Sequence, residues 1–178
     1  MQINGITFYE NFLTNPDTLL ADLLATVQWD ERMAARKTAS FGVAYNYSQI
    51  SYPYQVMPTA LQSIAENIAL TLDFLPNNCL INYYEDGKSK MGFHADQTAI
   101  LYKNTGIVII SLGETRVLRF KNIAQPTLTH DYALPAGSLF YMSQAVQSEW
   151  LHAIPPTHTE KGRMSLTFRK IRVEDNLS

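Results

Sequence analysis

Cysteine is nearly absent. The 178-residue chain carries one, Cys79, which excludes an internal disulfide and any thiolate-rich zinc or iron–sulfur centre. Charge is also sparse: charged residues make up 17%, and 14 Lys and Arg face 16 Asp and Glu, for a formal charge of -2. No broad basic field exists to drive tight, non-specific nucleic-acid binding, although a local patch remains compatible with these totals. Long apolar runs are missing too. The longest, Ile107-Val108-Ile109-Ile110, is far short of the roughly 20 residues that cross a bilayer and reads as a buried strand. The N-terminal segment lacks the basic stretch and apolar core of a secretory signal. The expectation is a monomer in a reducing, cytoplasmic setting with no membrane partner.

What is present is an ordinary hydrophobic content of 46%, enough for a core without disulfide or metal staples. No repeat, low-complexity tract or linker breaks the chain. The Asn4-Gly5 turn signal places a short hairpin or extended edge near residues 3–8. Asn15-Pro16-Asp17 opens a helix, with Pro in its first turn and an apolar stripe of Leu19, Leu20, Leu23, Leu24 and Val27. A second helix opens at Met57-Pro58-Thr59, with Leu61, Ile64, Ala65, Ile68 and Leu72 turned inward. From Leu80 onward the signals are those of strands: 80–84, 107–112, 116–120, 132–134, 138–142 and 163–171. Two helices followed by many short strands predict an α+β fold whose helices cover one side of a β-sandwich.

The chemistry starts from four histidines, His94, His130, His152 and His158. In His94-Ala95-Asp96, alternate residues of a strand would face one point, and His152, 58 residues on, supplies a third donor. Two imidazoles and a carboxylate on one face of an octahedral metal leave open positions, which suits non-haem Fe(II) and dioxygen. A chance tripeptide at a turn is the competing explanation. The segment Arg163–Arg169 alternates strictly: Met164, Leu166 and Phe168 face one way, and Arg163, Ser165, Thr167 and Arg169 the other. Such a strand is either a solvated edge or an anion site, and arginine is the residue that grips a carboxylate with two parallel bonds. Asn82 and Tyr84 share a strand face and can add neutral hydrogen bonds to the same anion.

Asn82-x-Tyr84, Gly87, His94-x-Asp96, Ser111-Leu112-Gly113, Gly137-Ser138-Leu139, His152 and Arg163-x-Ser165-x-Thr167-x-Arg169 occur in the order and spacing of the AlkB-like dioxygenases, which this chain resembles from about Arg36 to Ile171. The resemblance implies a double-stranded β-helix, or jelly roll, with the two N-terminal helices packed on one side. Residues 76–173 would be the Fe(II)/2-oxoglutarate dioxygenase core, and residues 1–75 the helices and a substrate lid of the same unit. It implies Fe(II) held by His94, Asp96 and His152, with 2-oxoglutarate and O2 as cosubstrates. Arg163 would take the distal carboxylate with help from Asn82 and Tyr84, Ser165 and Thr167 would line the same subsite, and Arg169 would lie toward the metal. The family often has Asn where Ser165 stands. The implied reaction is decarboxylation of 2-oxoglutarate to succinate coupled to hydroxylation of a C–H bond. On an N-methyl group the product collapses to formaldehyde and the free amine.

The segment from Arg36-Lys37 to Tyr45-Asn46-Tyr47-Ser48 resembles the nucleotide-recognition lid of the repair members, with aromatics for stacking a base beside cations for its phosphates. Trp150, close to His152, is a further candidate for the pocket wall. One departure stands out: repair members commonly follow the first ligands with acids, whereas this chain has Gln97-Thr98. The substrate implied is an alkylated base of DNA or RNA, with a neutral lesion, an RNA base or a small molecule raised in weight by Gln97; the alternatives are a hydroxylase or demethylase of a small molecule or protein, and a non-catalytic nucleic-acid-binding module. A zinc hydrolase is disfavoured, because no Glu sits at hydrolase spacing beside the histidines.

Overall fold

A computed structural model describes residues 2–47 and 49–173; Ser48 lies outside them. In chain order the first half contains β1 (Ile6–Tyr9), α1 (Pro16–Thr26), β2 (Lys37–Gly42), β3 (Tyr45–Tyr47), β4 (Ile50–Tyr52), α2 (Thr59–Leu72), β5 (Asn78–Tyr84) and β6 (Met91–His94). The second half contains β7 (Ile107–Gly113), β8 (Arg116–Asn122), β9 (Thr129–Leu134), β10 (Leu139–Met142), α3 (Gln144–Glu149), β11 (Trp150–Ile154) and β12 (Arg163–Arg169). Among the described residues the strands form a six-stranded sheet, β1-β10-β7-β12-β5-β2, a four-stranded sheet, β6-β11-β8-β9, and the small hairpin β3-β4. Neighbours pair antiparallel throughout. The two larger sheets form the jelly roll, and both β1 and β2 belong to the same sheet as β12.

Strand alternation divides the core in two. The inner faces pack Ile107, Leu118, Phe120, Phe140 and Met142 into one apolar cluster between the sheets. The outer face of the large sheet offers Ile81, Val108, Ile110, Met164, Leu166 and Phe168, and the helices cover it. Leu61, Ile64, Ala65 and Ile68 of α2 are buried there, and Leu72 is half-buried. α2 ends at Asp73 in the left-handed conformation, φ 62°, a helix stop usually left to Gly or Asn. α1 rests on β7 through a narrower stripe than predicted: Leu23 is buried, but Leu24 is exposed and Val27 lies past the helix end.

Four elements were not expected from the sequence: β6, α3, β11 and the full extent of β9. β6 is a four-residue edge strand containing Gly92, and α3 spans six residues with Val146 as its main apolar anchor, so neither carries a periodic signal. The loop that leads into β6 is pinned by a close backbone approach. Gly87 exchanges backbone hydrogen bonds with the 157–159 segment, and a Cβ there would stand 1.9 Å from the Thr157 carbonyl oxygen.

The helix-on-sheet layer yields a direct test. Ile68→Ala removes a side chain with no exposed surface and should destabilise the protein by about 2–5 kcal/mol. Leu70→Ala, at a position 87% exposed, should change stability by less than about 0.5 kcal/mol. Equal effects in urea unfolding would show that α2 does not present this face to the sheet.

Candidate active site

β12 crosses the middle of the large sheet with Arg163, Ser165, Thr167 and Arg169 lining a cleft between the sheets. Its pairing with β5 sets Tyr84 opposite Arg163 and Asn82 opposite Ser165, and all four line the same cleft. From the small sheet, β6 and β11 pair so that His94 stands opposite His152. Directly opposed residues on one sheet face are in side-chain contact, and the two imidazole centroids are 4.3 Å apart.

Asp96 reaches the same point by a different route from the one predicted. β6 ends at His94, so strand alternation does not extend to Asp96, which lies in irregular chain beyond it. Two partners fix it instead. Its backbone N–H donates to Gln147 Oε1 at 2.8 Å, and its Oδ2 accepts from Arg169 Nη2 at 2.7 Å. Oδ1 is left 3.4 Å from His94 Nε2 and 3.7 Å from His152 Nε2. The donor atoms of His94, Asp96 and His152 all fall within 4.8 Å of one another.

The protonation states suit a metal. His94 Nδ1 lies 2.8 Å from the Gly92 carbonyl oxygen; with its proton donated there, Nε2 keeps its lone pair. Burial pushes the His152 pKa down to about 4 against the opposing pull of Asp96, so the ring is neutral at pH 7. Burial alone would raise the Asp96 carboxyl. Arg169, His94 and His152 outweigh it and hold the group well below the usual carboxylate range. Two imidazoles and one carboxylate match the donor set for Fe(II).

Arg163 supplies a second kind of fit. Its side chain is 1% exposed, and its Nη2 donates to Ser111 Oγ at 3.0 Å. Nε and Nη1 have no partner among the described residues. Burial lowers the guanidinium to about 10, with Tyr84 opposing, so it stays cationic at neutral pH. A buried cation with two idle donors, beside Asn82, Tyr84 and Ser165, is the complement of a carboxylate such as the distal one of 2-oxoglutarate.

The expected substrate residues separate. Arg36 links the β3–β4 hairpin to the sheet: Nε donates to Asn82 Oδ1 at 2.8 Å, Nη1 to the Lys90 carbonyl at 3.0 Å, and Nη2 to the Tyr47 hydroxyl. Arg36, Tyr45, Tyr47 and Gln97 line a groove that adjoins the cleft, and Tyr47, His94 and Asp96 line both. Lys37 does not join them. It precedes Thr38 on β2, points to the other side of the sheet and pairs with Glu85 at 2.7 Å and Glu31 at 3.1 Å. Trp150 is not a wall of the cleft either; it is buried at the far end of the inner face against His130, 5.5 Å between ring centroids.

Sequence reasoning missed Gln147 and Arg116. Gln147 sits on α3, which has no sequence signature, and one amide in a short helix gives no hint of its partner. Arg116 is 1% exposed and donates to three carbonyls, those of Asp86, Ser89 and Pro155, which ties the β5–β6 loop to the end of β11. Its only available signal was a charged residue in a strand, the usual mark of a solvated face.

The buried imidazole makes a measurable contribution to stability. The unfolded ring takes up a proton below about 6.5, whereas the folded one resists until about 4, so stability rises with pH across that interval. From this group alone, metal-free protein should be roughly 2 kcal/mol less stable at pH 5 than at pH 7. Urea unfolding in chelator measures it. His152→Asn should flatten the dependence, and an equally steep loss in that variant would contradict the assignment.

Comparison with known proteins agrees with this geometry. The family model for the 2OG-Fe(II) oxygenase superfamily matches residues 5–169. The mouse alpha-ketoglutarate-dependent dioxygenase alkB homolog 3 is 29% identical over 195 residues, covering 95% of this chain and 67% of that protein. The human DNA oxidative demethylase ALKBH2 is 29% identical over 147 residues, covering 76% of this chain and 56% of that protein. This chain thus spans between half and about two thirds of the length of these relatives. The solved structure of OsALKBH1 superposes with a TM-score of 0.68 at 16% identity, covering 96% of this chain and 100% of that one, which shows the shared fold. No helix among the described residues is long and apolar enough to cross a membrane. The chain belongs to the 2OG-Fe(II) oxygenase superfamily, as an AlkB-like Fe(II)- and 2-oxoglutarate-dependent dioxygenase.

Proposed function

We propose that this enzyme oxidatively demethylates alkylated nucleobases in DNA or RNA, with His94, Asp96 and His152 holding Fe(II) and Arg163 holding the distal carboxylate of 2-oxoglutarate. The observation that carries the site assignment is the buried Arg163 guanidinium with two unpartnered donors, a short way from three clustered metal-type donors. Bound iron and 2-oxoglutarate would supply, with O2, the oxidation of a C–H bond. The chain's own residues bind and orient. Because Arg36 occupies Asn82 Oδ1, the Asn82 amide has only its NH2 group left to offer an anion. Tyr84 flanks the Arg163 guanidinium, 5.4 Å from ring centroid to Cζ, while Ser165 and Thr167 continue the polar face of β12. Arg169 keeps Asp96 ionised and its Oδ1 toward the histidines.

Support for a nucleobase substrate comes from relatives named as an alkB homolog dioxygenase and a DNA oxidative demethylase, and from the tyrosine-bearing β3–β4 hairpin beside the groove. Residues 1–75 would then act as lid and support, and 76–173 as catalytic core. Formaldehyde release from methylated oligonucleotides by the iron-loaded enzyme tests the proposal. Inert oligonucleotides alongside oxidation of a small amine would move the substrate to small molecules, the class that the neutral Gln97 favours.

Two variants sharpen the assignment. Arg163→Ala should weaken 2-oxoglutarate binding by about 2–5 kcal/mol, with Arg163→Lys restoring only part, since a point charge replaces a fork. Unchanged affinity in the alanine variant, measured by calorimetry, would remove Arg163 from the cosubstrate site. Gln97 is exposed in the groove beside His94 and Asp96. Gln97→Asp should raise activity on cationic 1-methyladenine or 3-methylcytosine oligonucleotides by about tenfold, or 1.4 kcal/mol, and leave a neutral lesion of equal length unaffected. An equal gain on both would show that Gln97 does not sense the charge of the base.

A further inference from the structure

One thioether in the cleft has stronger hydrogen-bond donors than it can use. Met91 opens β6, three residues before His94, and lines both the cleft and the adjoining groove of about 350 Å³. Two tyrosine hydroxyls converge on its sulfur: Tyr47 Oη donates to Sδ at 3.4 Å and Tyr84 Oη at 3.9 Å. Arg36 Nη2 donates to the Tyr47 hydroxyl oxygen, which leaves the Tyr47 proton for the sulfur. A thioether is a weak acceptor and a phenol a full donor, so both hydroxyls are underused. Among the described residues no other methionine sulfur accepts from a hydroxyl.

Access also sets this methionine apart. The chain has six. Met142 and Met164 have no exposed surface. Met33 and Met57 are half-buried but belong to neither the cleft nor the groove walls. Met91 is half-buried and forms part of the groove wall, so a small oxidant in solution reaches its sulfur. Its two hydroxyl neighbours come from different parts of the site. Tyr47 is on the β3–β4 hairpin, and Tyr84 stands opposite Arg163 in the proposed cosubstrate subsite.

We infer that Met91 is a reversible oxidation site that tunes the hold on 2-oxoglutarate. The oxidant is a peroxide, with H2O2 the simplest. The sulfur lone pair attacks one peroxide oxygen, the O–O bond breaks and an S–O bond forms. Sulfur loses two electrons, and the leaving oxygen takes the proton of the transferred one and departs as water. The product is a sulfoxide, which turns an apolar side chain into a polar one. Its oxygen accepts from the Tyr47 and Tyr84 hydroxyls together and ties the hairpin to the cleft wall. The Tyr84 hydroxyl is then withdrawn from any carboxylate beside Arg163. The inference rests on the cosubstrate placement proposed above and adds a modification that acts on it.

Peptide mass spectrometry and calorimetry on the full chain test it. Metal-free protein is treated with H2O2 in chelator, freed of peroxide, loaded with redox-inert Zn(II) and titrated with 2-oxoglutarate. Met91 should gain one oxygen before Met33 or Met57 does. The affinity for 2-oxoglutarate should then fall by about tenfold, the loss of one hydrogen bond to a charged group. Methionine sulfoxide reductases for both epimers should restore it. Met91→Leu, a volume-conserving change, should show the same affinity before and after peroxide. Oxidation of Met33 or Met57 ahead of Met91, an oxidised protein that binds as tightly as the reduced one, or an equal peroxide loss in Met91→Leu would overturn the inference. Binding by the reduced protein would still support the cosubstrate site in each of those cases. Reduced wild-type protein that binds no 2-oxoglutarate would overturn both.

Discussion

One buried ion pair holds the site together: Asp96 Oδ2 against Arg169 Nη2 at 2.7 Å, with both side chains nearly inaccessible. Arg169 ends the central strand of the large sheet, and Asp96 follows the edge strand of the small one, so the pair spans the two layers. Such a pair adds little net stability, because desolvating both charges offsets most of their attraction. Its value is positional. With one carboxylate oxygen committed to Arg169 and the backbone committed to Gln147, the other oxygen has no freedom but to face His94 and His152.

The second arginine of β12 is the counterpart. Arg169 has its anion within the chain, whereas Arg163, six residues earlier on the same face, has none among the described residues. That asymmetry gives the cleft a direction. One end is balanced and faces the histidines; the other keeps a cation in search of a carboxylate. Arg116 reinforces it, 5.6 Å from the Tyr84 ring centroid, with three carbonyls and, among the described residues, no acid for partners. A dicarboxylate with one end for Arg163 and the other toward the metal donors fits that polarity, which agrees with the cosubstrate of the superfamily.

The sequence made the local parts of this arrangement legible. Period-two alternation in Arg163–Arg169 separates the apolar face from the polar one, as the register with β5 and β7 bears out. His94 and His152 were legible as a pair only through spacing and family pattern, since their opposition depends on β6 meeting β11 across 58 residues. The stop of β6 was not legible: alternation carries no mark of where pairing ends, and Asp96 is placed by tertiary partners instead. Lys37 misled for a related reason, because a one-residue step along β2 sends a side chain to the other face. Trp150 shares the parity of His152, yet parity says nothing about how far along the inner face a residue sits. Arg116 and Gln147 act through carbonyls and a backbone N–H, contacts that leave no compositional trace.

The central claim is that the three clustered donors and Arg163 form one continuous site, in which a single 2-oxoglutarate answers to both metal and arginine. Anaerobic calorimetric titration of 2-oxoglutarate into metal-free and Fe(II)-loaded protein tests it most directly. A shared site predicts that Fe(II) tightens 2-oxoglutarate binding and that 2-oxoglutarate tightens Fe(II) binding by the same factor, as linkage requires. Equal 2-oxoglutarate affinity with and without Fe(II) would contradict it.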